Sequence, residues 1–399
     1  MQTVVLAAGE GTRMRPLTAA QPKPMLPVAG KPLLEHTLDR AVDAGADRLV
    51  VVIGYESDRV QDYFGNQHGG VDLEYAVQDE QRGTADAVNA AAPLLIDEPF
   101  VVLNGDALYD QTSLDMLYSN GPAVGSYRVD NPSAYGVLQL ADADDTRVTG
   151  VVEKPTDPVS NLINTGAYVF PAAAHDLLNV ETSERGELEL TDVLEAVCNQ
   201  FSVTAVPFNR WLDVGRPWEL LAANEWLLES LSTRLDGKVH DAATLDGPVV
   251  VEDGATIKSG VTIEGPVYID SGATVGPNAY IRGSTYLAPD SKVGHTVEVK
   301  NSILMANATV SHLSYVGDSV LGQQVNFGAG TNVANLRHDG EPVALTVKGE
   351  RVSTGRRKLG VIVGDNVQTG INTSLNAGVV LGAGATTQPG EVLKRDRRN

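Results

Sequence analysis

Twelve apolar side chains stand six residues apart along one stretch of the chain: Val239, Leu245, Val251, Ile257, Ile263, Ile269, Val275, Ile281, Leu287, Val293, Val299 and Met305. A short fixed period with one inward apolar residue per unit marks a solenoid, in which each unit is buried only by its neighbours. A helical face repeats every three or four residues and cannot produce this spacing. Six residues is the unit of a parallel β-helix with three flat sides, so three units make one coil. Gly, Ala, Asn, Ser and Asp fill many of the turn positions. The register breaks at Ser311 and resumes near Val316, Leu321, Phe327 and Val333. It recurs at Val363, Thr369, Leu375, Leu381, Thr387 and Leu393. Between these runs Ala334–Leu359, with Arg351, Arg356, Arg357 and Lys358, reads as a loop extruded from the solenoid. An excursion of that length argues for function rather than packing.

Ahead of the repeat the pattern differs. Thr3-Val4-Val5-Leu6 reads as a buried strand, and Ala7-Ala8-Gly9-Glu10-Gly11-Thr12-Arg13 follows it. Two glycines let the backbone turn sharply beside a ligand, Arg13 is placed to meet an anion, and Pro22-Lys23-Pro24 adds a second cation on a stiffened segment. Backbone N–H groups with Arg and Lys suit a triphosphate. A Gly-x-Gly after a strand also makes an ordinary tight turn. The run is neither the dinucleotide fingerprint nor a Walker loop, because Thr-Arg follows Gly11. Further spacing predicts a helix from Pro32 to about Ala44, a strand at Leu49–Ile53, a helix around Asp58–Phe64, and strands at Leu73–Val77 and Phe100–Leu103. This alternation predicts an α/β, doubly wound (Rossmann-like) parallel sheet with ligands at the strands' carboxyl ends. Gln78, Gly83-Thr84 and Asp106 all fall at that edge.

The glycine run, Arg13 and Pro22-Lys23-Pro24 together resemble the signature of sugar-1-phosphate nucleotidylyltransferases. Ala134-Tyr135-Gly136-Val137, Val152-Glu153-Lys154-Pro155, Asn164-Thr165-Gly166-Ala167-Tyr168 and Trp211-Leu212-Asp213-Val214-Gly215 recur in that family's order. The resemblance implies nucleotide contacts at Leu6, Ala8, Gly9, Gly11, Thr12, Arg13, Lys23, Gln78, Gly83 and Thr84. Gly136, Glu153 and Asn164 would meet the sugar, Lys154 its phosphate, and Asp106 and Asp213 a Mg²⁺ ion. A hard cation bridging phosphate oxygens favours carboxylates. The order Gln-x-x-x-x-Gly-Thr looks closest to uridylyltransferases, whereas the tryptophan form of the last motif looks more like thymidylyl- and glucose-type members. UTP and dTTP both stay open. Pro217–Leu235 reads as one amphipathic helix, giving domains at 1–216 and 237–399 joined by a connector at 217–236.

Val310-Ser311-His312-Leu313-Ser314-Tyr315-Val316-Gly317-Asp318 resembles the catalytic turn of the bacterial bifunctional enzymes that make UDP-N-acetylglucosamine. Matching from His312 implies Arg282 and Lys300 upstream, and Tyr315, Asn326, Ala329 and Asn335 downstream, as the acetyl-transfer site for glucosamine 1-phosphate. The resembled families wind the β-helix left-handed and assemble as trimers. Leu336 stands where the bacterial family has a tyrosine, and Ile371 where it has its coenzyme-A serine. The resemblance is therefore closer to archaeal bifunctional homologues, and the acetyl-coenzyme A contacts do not carry over.

Composition bounds the rest. The chain has 51 acidic and 30 basic residues, a net charge of −21, with the acids spread throughout. No basic stripe invites nucleic acid, and no apolar run approaches a membrane span. Scarce Lys with abundant Asp suits a salty cytoplasm, where self-repulsion is screened. One cysteine, Cys198, excludes an intrachain disulfide, and a cytoplasmic location is expected. The function implied is acetyl transfer to glucosamine 1-phosphate followed by uridylyl transfer from UTP. The alternative is a monofunctional thymidylyl- or uridylyltransferase whose β-helix only oligomerises it. A third class, a non-catalytic regulatory subunit on the same domains, is opposed by intact Arg13, Lys23, Asp106 and Asp213.

Overall fold

The first strand, Gln2–Leu6, lies in the middle of a ten-stranded sheet and is hydrogen-bonded in parallel to Arg48–Ile53 on one side and Phe100–Asn104 on the other. The computed structural model describes residues 1–54, 56–142 and 145–398. Tyr55, Ala143 and Asp144 of the expected first domain and Asn399 of the second lie outside the described residues. The chain divides into two compact units. The first comprises Met1–Glu10, Pro22–Met25 and Leu33–Asp213; the second comprises Gly11–Gln21, Leu26–Pro32 and Val214–Asn399.

In the first unit, four strands are parallel in the order 100–104, 2–6, 48–53 and 71–77. Helices Leu33–Asp43, Ser57–Phe64 and Thr84–Ala91 alternate with them. The expected parallel strands are extended by strands that the alternation did not reveal. Leu162–Phe170 enters antiparallel beside Phe100–Asn104, and the sheet continues through 123–128, 203–207, 147–153 and 136–140. All nine residues of Leu162–Phe170 are buried. Asn164 and Thr165 place two polar residues inside this strand. In the fold the Asn164 side-chain oxygen accepts from the Gly166 N–H at 3.0 Å and from the Tyr168 hydroxyl at 2.9 Å. A buried polar group satisfied in this way can sit inside a central strand.

The second unit contains three parallel sheets of eight, six and eight short strands, the winding of a parallel β-helix. Ile263 pairs with Ile281, eighteen residues on, and Ile281 with Val299. Leu287 then pairs with Leu304, Val293 with Val310 and Val299 with Val316, each seventeen on. The break in register therefore lies between Val299 and Leu304, not at Ser311, and a second one-residue contraction separates Val316 from Leu321. Leu304, rather than Met305, joins the inward stack. The shortened corners carry a ladder of buried hydroxyls: the Ser302 N–H donates to Thr285 Oγ1 and the Ser319 N–H to Ser302 Oγ. Those side chains close a corner that has one peptide fewer.

Thr369 and Thr387 occupy inward positions because they find hydroxyl partners, Thr331 at 2.8 Å and Thr373 at 2.7 Å. The extruded segment holds a hairpin, Ala344–Val347 with Glu350–Ser353, anchored by buried Val343 and Leu345. The expected single helix is shorter than its sequence suggests. It spans Pro217–Leu228, and Arg234–Leu235 already pairs with Val250–Val251 as the first strand of the solenoid. Ser230, Ser232 and Thr233 favour leaving the helix, since their hydroxyls compete for the backbone. The helix is buried well beyond one stripe. Asn224 is fully buried, accepts from the Ala29 N–H at 3.1 Å and donates to Ser284 O at 2.7 Å.

Candidate functional sites

Five groups of side chains gather in the two units. In the first unit, Lys23 is buried and forms an ion pair with Asp106 in the turn after Phe100–Asn104. The ribbon that follows pairs Ala107–Tyr109 antiparallel with Trp211–Asp213, so Asp213 stands opposite Ala107, one residue from Asp106. Burial pushes the Tyr109 hydroxyl well above its ordinary pKa, and both carboxylates raise it further. Two carboxylates on one ribbon suit Mg²⁺, which takes one or two protein carboxylates and fills its octahedron with substrate phosphate oxygens and water. No cluster of three or more metal-ligating side chains occurs among the described residues.

Gly83 and Gln78 meet at the edge of the same sheet. The Gln78 side-chain amide donates to Gly83 O at 3.1 Å and to Asp86 at 2.9 Å. Gly83 has φ 127°, and a Cβ there would strike the Leu188 backbone, so this turn requires glycine. Thr84 Oγ1 accepts from the Leu190 N–H at 2.9 Å. Gln81, not singled out from the sequence, donates to Ala8 O at 2.8 Å. The Leu6 carbonyl accepts from Gly105, and Gly9 is exposed. Gly11, Thr12 and the exposed Arg13 lie in the segment grouped with the second unit, where the Thr18 hydroxyl donates to Gly11 O at 2.8 Å.

Gly136, Glu153, Lys154 and Asn164 form the third group. Gly136 pairs with Glu153 across two strands, and the Lys154 N–H bonds to Tyr135 O. A Cβ on Gly136 would collide with the Asn164 amide and the Glu153 carboxylate. Arg185, in a loop that gave no sequence signal, bridges Glu153 at 3.2 Å and Glu189 at 3.4 Å. Burial, and then Glu153, raise the Glu189 carboxyl above its usual range. Trp211 donates to Thr165 O at 2.9 Å and packs edge-on against Tyr135.

On the solenoid, Arg282 lies beside Lys300 in neighbouring strands. Arg282 pairs with Glu298 at 2.7 Å and Lys300 with Asp318 at 2.9 Å. Asn335 donates to the Tyr315 hydroxyl at 3.1 Å and also to Asp318. Burial raises the Tyr315 pKa, as do Asp318 and Glu298. Asp318 ends the run that begins at Val310, and its place at the centre of this cluster appears only in the fold. Asn301 ties Asp318 to Glu225, which pairs with Arg356 of the extruded segment. His312, Asn326 and Ala329 form a separate strip. His312 is exposed at the end of Thr309–His312, Asn326 starts the strand paired with it, and the turn at Ala329-Gly330 bonds to the His312 carbonyl.

The first unit defines a nucleotidyl transferase, and the second is a β-helix. The model of the Nucleotidyl transferase family matches residues 2–230, and that of the GMPPB C-terminal domain matches residues 263–396. The chain is 43% identical to the Bifunctional protein GlmU of Methanococcus vannielii over 392 residues, 96% of this chain and 92% of that protein. It is 38% identical over 402 residues to a Bifunctional sugar-1-phosphate nucleotidylyltransferase/acetyltransferase of Sulfurisphaera tokodaii, covering 99% and 98% of the two chains. A crystal structure of UDP-glucose pyrophosphorylase complexed with UDP-glucose matches with TM-score 0.53 at 24% identity, covering 57% of this chain and 98% of that one, a likeness of fold. The chain belongs to the archaeal bifunctional GlmU branch of the nucleotidyl transferase family. No helix among the described residues is long and apolar enough to cross a membrane.

Proposed function

We propose that the protein makes UDP-N-acetylglucosamine in two steps, with acetyl-coenzyme A, glucosamine 1-phosphate and UTP as substrates. The observation that carries this reading over a scaffold-only β-helix is the gathering of Arg282, Lys300, Tyr315 and Asn335 around Asp318 and Glu298. A solenoid serving only to oligomerise has no need of a partly buried charge network, because desolvating charges is costly.

In the acetyl step Arg282 and Lys300 hold the phosphate of glucosamine 1-phosphate. His312 takes a proton from the 2-amine as its nitrogen attacks the thioester carbonyl, and coenzyme A leaves as the thiol. Asn326, Asn335 and Tyr315 orient the sugar, and the Ala329 N–H stabilises the oxyanion. In the nucleotidyl step an oxygen of the sugar phosphate attacks the α-phosphorus and pyrophosphate leaves. Arg13 and Lys23 neutralise the triphosphate, Gln78, Gly83 and Thr84 meet the base, Gly136, Glu153 and Asn164 hold the sugar, and Lys154 meets its phosphate. A Mg²⁺ ion at Asp106 and Asp213 would neutralise phosphate charge there. No covalent intermediate is required, so positioning and charge neutralisation do the catalysis.

The functional boundaries are read as 1–216 and 237–399, the β-helix as left-handed, and the assembly as a trimer in a high-salt cytoplasm. Incubating the protein with glucosamine 1-phosphate, acetyl-coenzyme A and either UTP or dTTP, then identifying the sugar nucleotide, tests the whole reading. Product from N-acetylglucosamine 1-phosphate but none from glucosamine 1-phosphate would favour the monofunctional alternative.

A further inference from the structure

Residues Gly11–Gln21 sit early in the chain, yet they belong with the second unit. This segment carries Arg13, one of the two cations proposed to meet the triphosphate. Within it Met14 and Leu17 are fully buried, and Thr18 and Gln21 nearly so, whereas Arg13 is exposed. The segment is also braced internally. The Met14 N–H donates to Gly11 O at 2.8 Å, the Leu17 N–H to Met14 O at 3.1 Å, and the Thr18 hydroxyl closes on Gly11 O at 2.8 Å. Packed, hydrogen-bonded turns of this kind transmit a displacement rather than absorb it. Whatever holds the Gln21 end therefore sets where Arg13 stands.

One corner of the solenoid does so. In successive coils the residue after the inward side chain donates its N–H to the next coil: Met305 to Leu321 O, Gly322 to Val363 O and Gly364 to Leu381 O. The contraction that turns Leu304 inward leaves Met305 at this corner, fully buried but outside the inward stack. There the Gln21 amide donates to the Met305 sulfur at 3.8 Å, and the Gln21 oxygen accepts from the Gln323 amide at 2.9 Å. Gln323 is itself fixed, because its N–H donates to buried Asp365 at 2.8 Å. Two coils along the corner is bare: a Cβ on Gly364 would stand 2.9 Å from Pro16 Cβ. Sulfur is a weak acceptor, so Gln323 is the strong partner. With Gln21 only 4% exposed, losing it leaves an amide oxygen unsatisfied away from water. We propose that Gln323 is a positioning residue for nucleotidyl transfer: through Gln21 it holds the segment that presents Arg13 to the triphosphate. The role of Arg13 rests on the proposed function; the anchoring of residues 11–21 on the solenoid does not.

Gln323→Leu in the full-length protein keeps the bulk and removes the donor. Two readouts decide the matter: amide hydrogen exchange of residues 12–21, and the steady-state kinetics of nucleotidyl transfer. Exchange in that segment is expected to quicken, and the KM for UTP to rise roughly tenfold, with the KM for N-acetylglucosamine 1-phosphate unchanged. Gln21→Leu breaks the same bond from the other side and is expected to give the same two changes, with thermal melts showing that both variants fold. A residue that acts through Arg13 has nothing left to do once Arg13 is gone, so Gln323→Leu should add no further loss in an Arg13→Ala background. Unchanged exchange in both variants, or a KM effect of full size in the Arg13→Ala background, would overturn the proposal. Faster exchange together with normal transfer by Arg13→Ala would instead sink the triphosphate assignment of Arg13, and the positioning role with it, while the anchor on the solenoid stood.

Discussion

The Lys300 ammonium lies 2.9 Å from a carboxylate oxygen of Asp318, whose side chain is only 3% exposed. The same carboxylate accepts from Asn335 and Asn301, so it fixes the direction of Lys300 as well as its charge. Removing one member of such a buried pair leaves the other uncompensated, at about 3–5 kcal/mol. Asp318→Ala is expected to lower stability to urea by about that amount, and Asp318→Ala with Lys300→Met by less than the sum of the single changes. A double-mutant cycle with no coupling would remove Asp318 from this role.

The two transfer activities should separate. Asp106→Ala is expected to abolish nucleotidyl transfer while acetyl transfer stays near wild type, because these residues belong to different units. EDTA should act as the substitution does and be reversed by Mg²⁺. Sugar-nucleotide synthesis that survives EDTA would show that Asp106 and Asp213 do not serve a metal.

His312 is the proposed general base, and positioned bases contribute about 10²–10⁴-fold. His312→Ala should cost acetyl transfer roughly that factor and leave pyrophosphate release from UTP with N-acetylglucosamine 1-phosphate unchanged. A histidine that merely occupies an exposed corner would change neither rate.

Glu189 links stability to pH. Its folded-state pKa is raised above 4.5, first by burial and then by Glu153, so the folded protein holds that proton more tightly than the unfolded chain. Its contribution is therefore most favourable below the ordinary carboxylate range and declines as pH rises through the raised value. Glu189→Gln should raise the thermal midpoint at about pH 7 and lose that advantage at about pH 3.5. A gain of equal size at both values would show that ionisation is not the cause.

Full-length protein in molar KCl should sediment as a trimer, the state implied by the resembled β-helical families. A monomer there would require the acetyl-transfer residues to form a complete site within one chain.

The solenoid was legible before any fold was known, because one inward side chain per six residues is a local rule repeated many times. The glycine run and Asp106 stood out for a similar reason: each follows a strand that a short apolar run already reveals, whereas Lys23 stood out only as the cation between two prolines. Register was another matter. Val299 and Met305 keep the spacing of six, yet Leu304 takes the inward place because the Thr285-Ser302-Ser319 hydroxyl ladder closes a shorter corner. Leu162–Phe170 was not legible as a strand, because Asn164 and Thr165 interrupt its apolar run and only the fold supplies the hydrogen bonds that satisfy Asn164. Arg185 and Asp318 were out of reach of sequence patterns. Their partners lie on other strands, coils or turns, and only the pairing of distant segments decides which charges are satisfied.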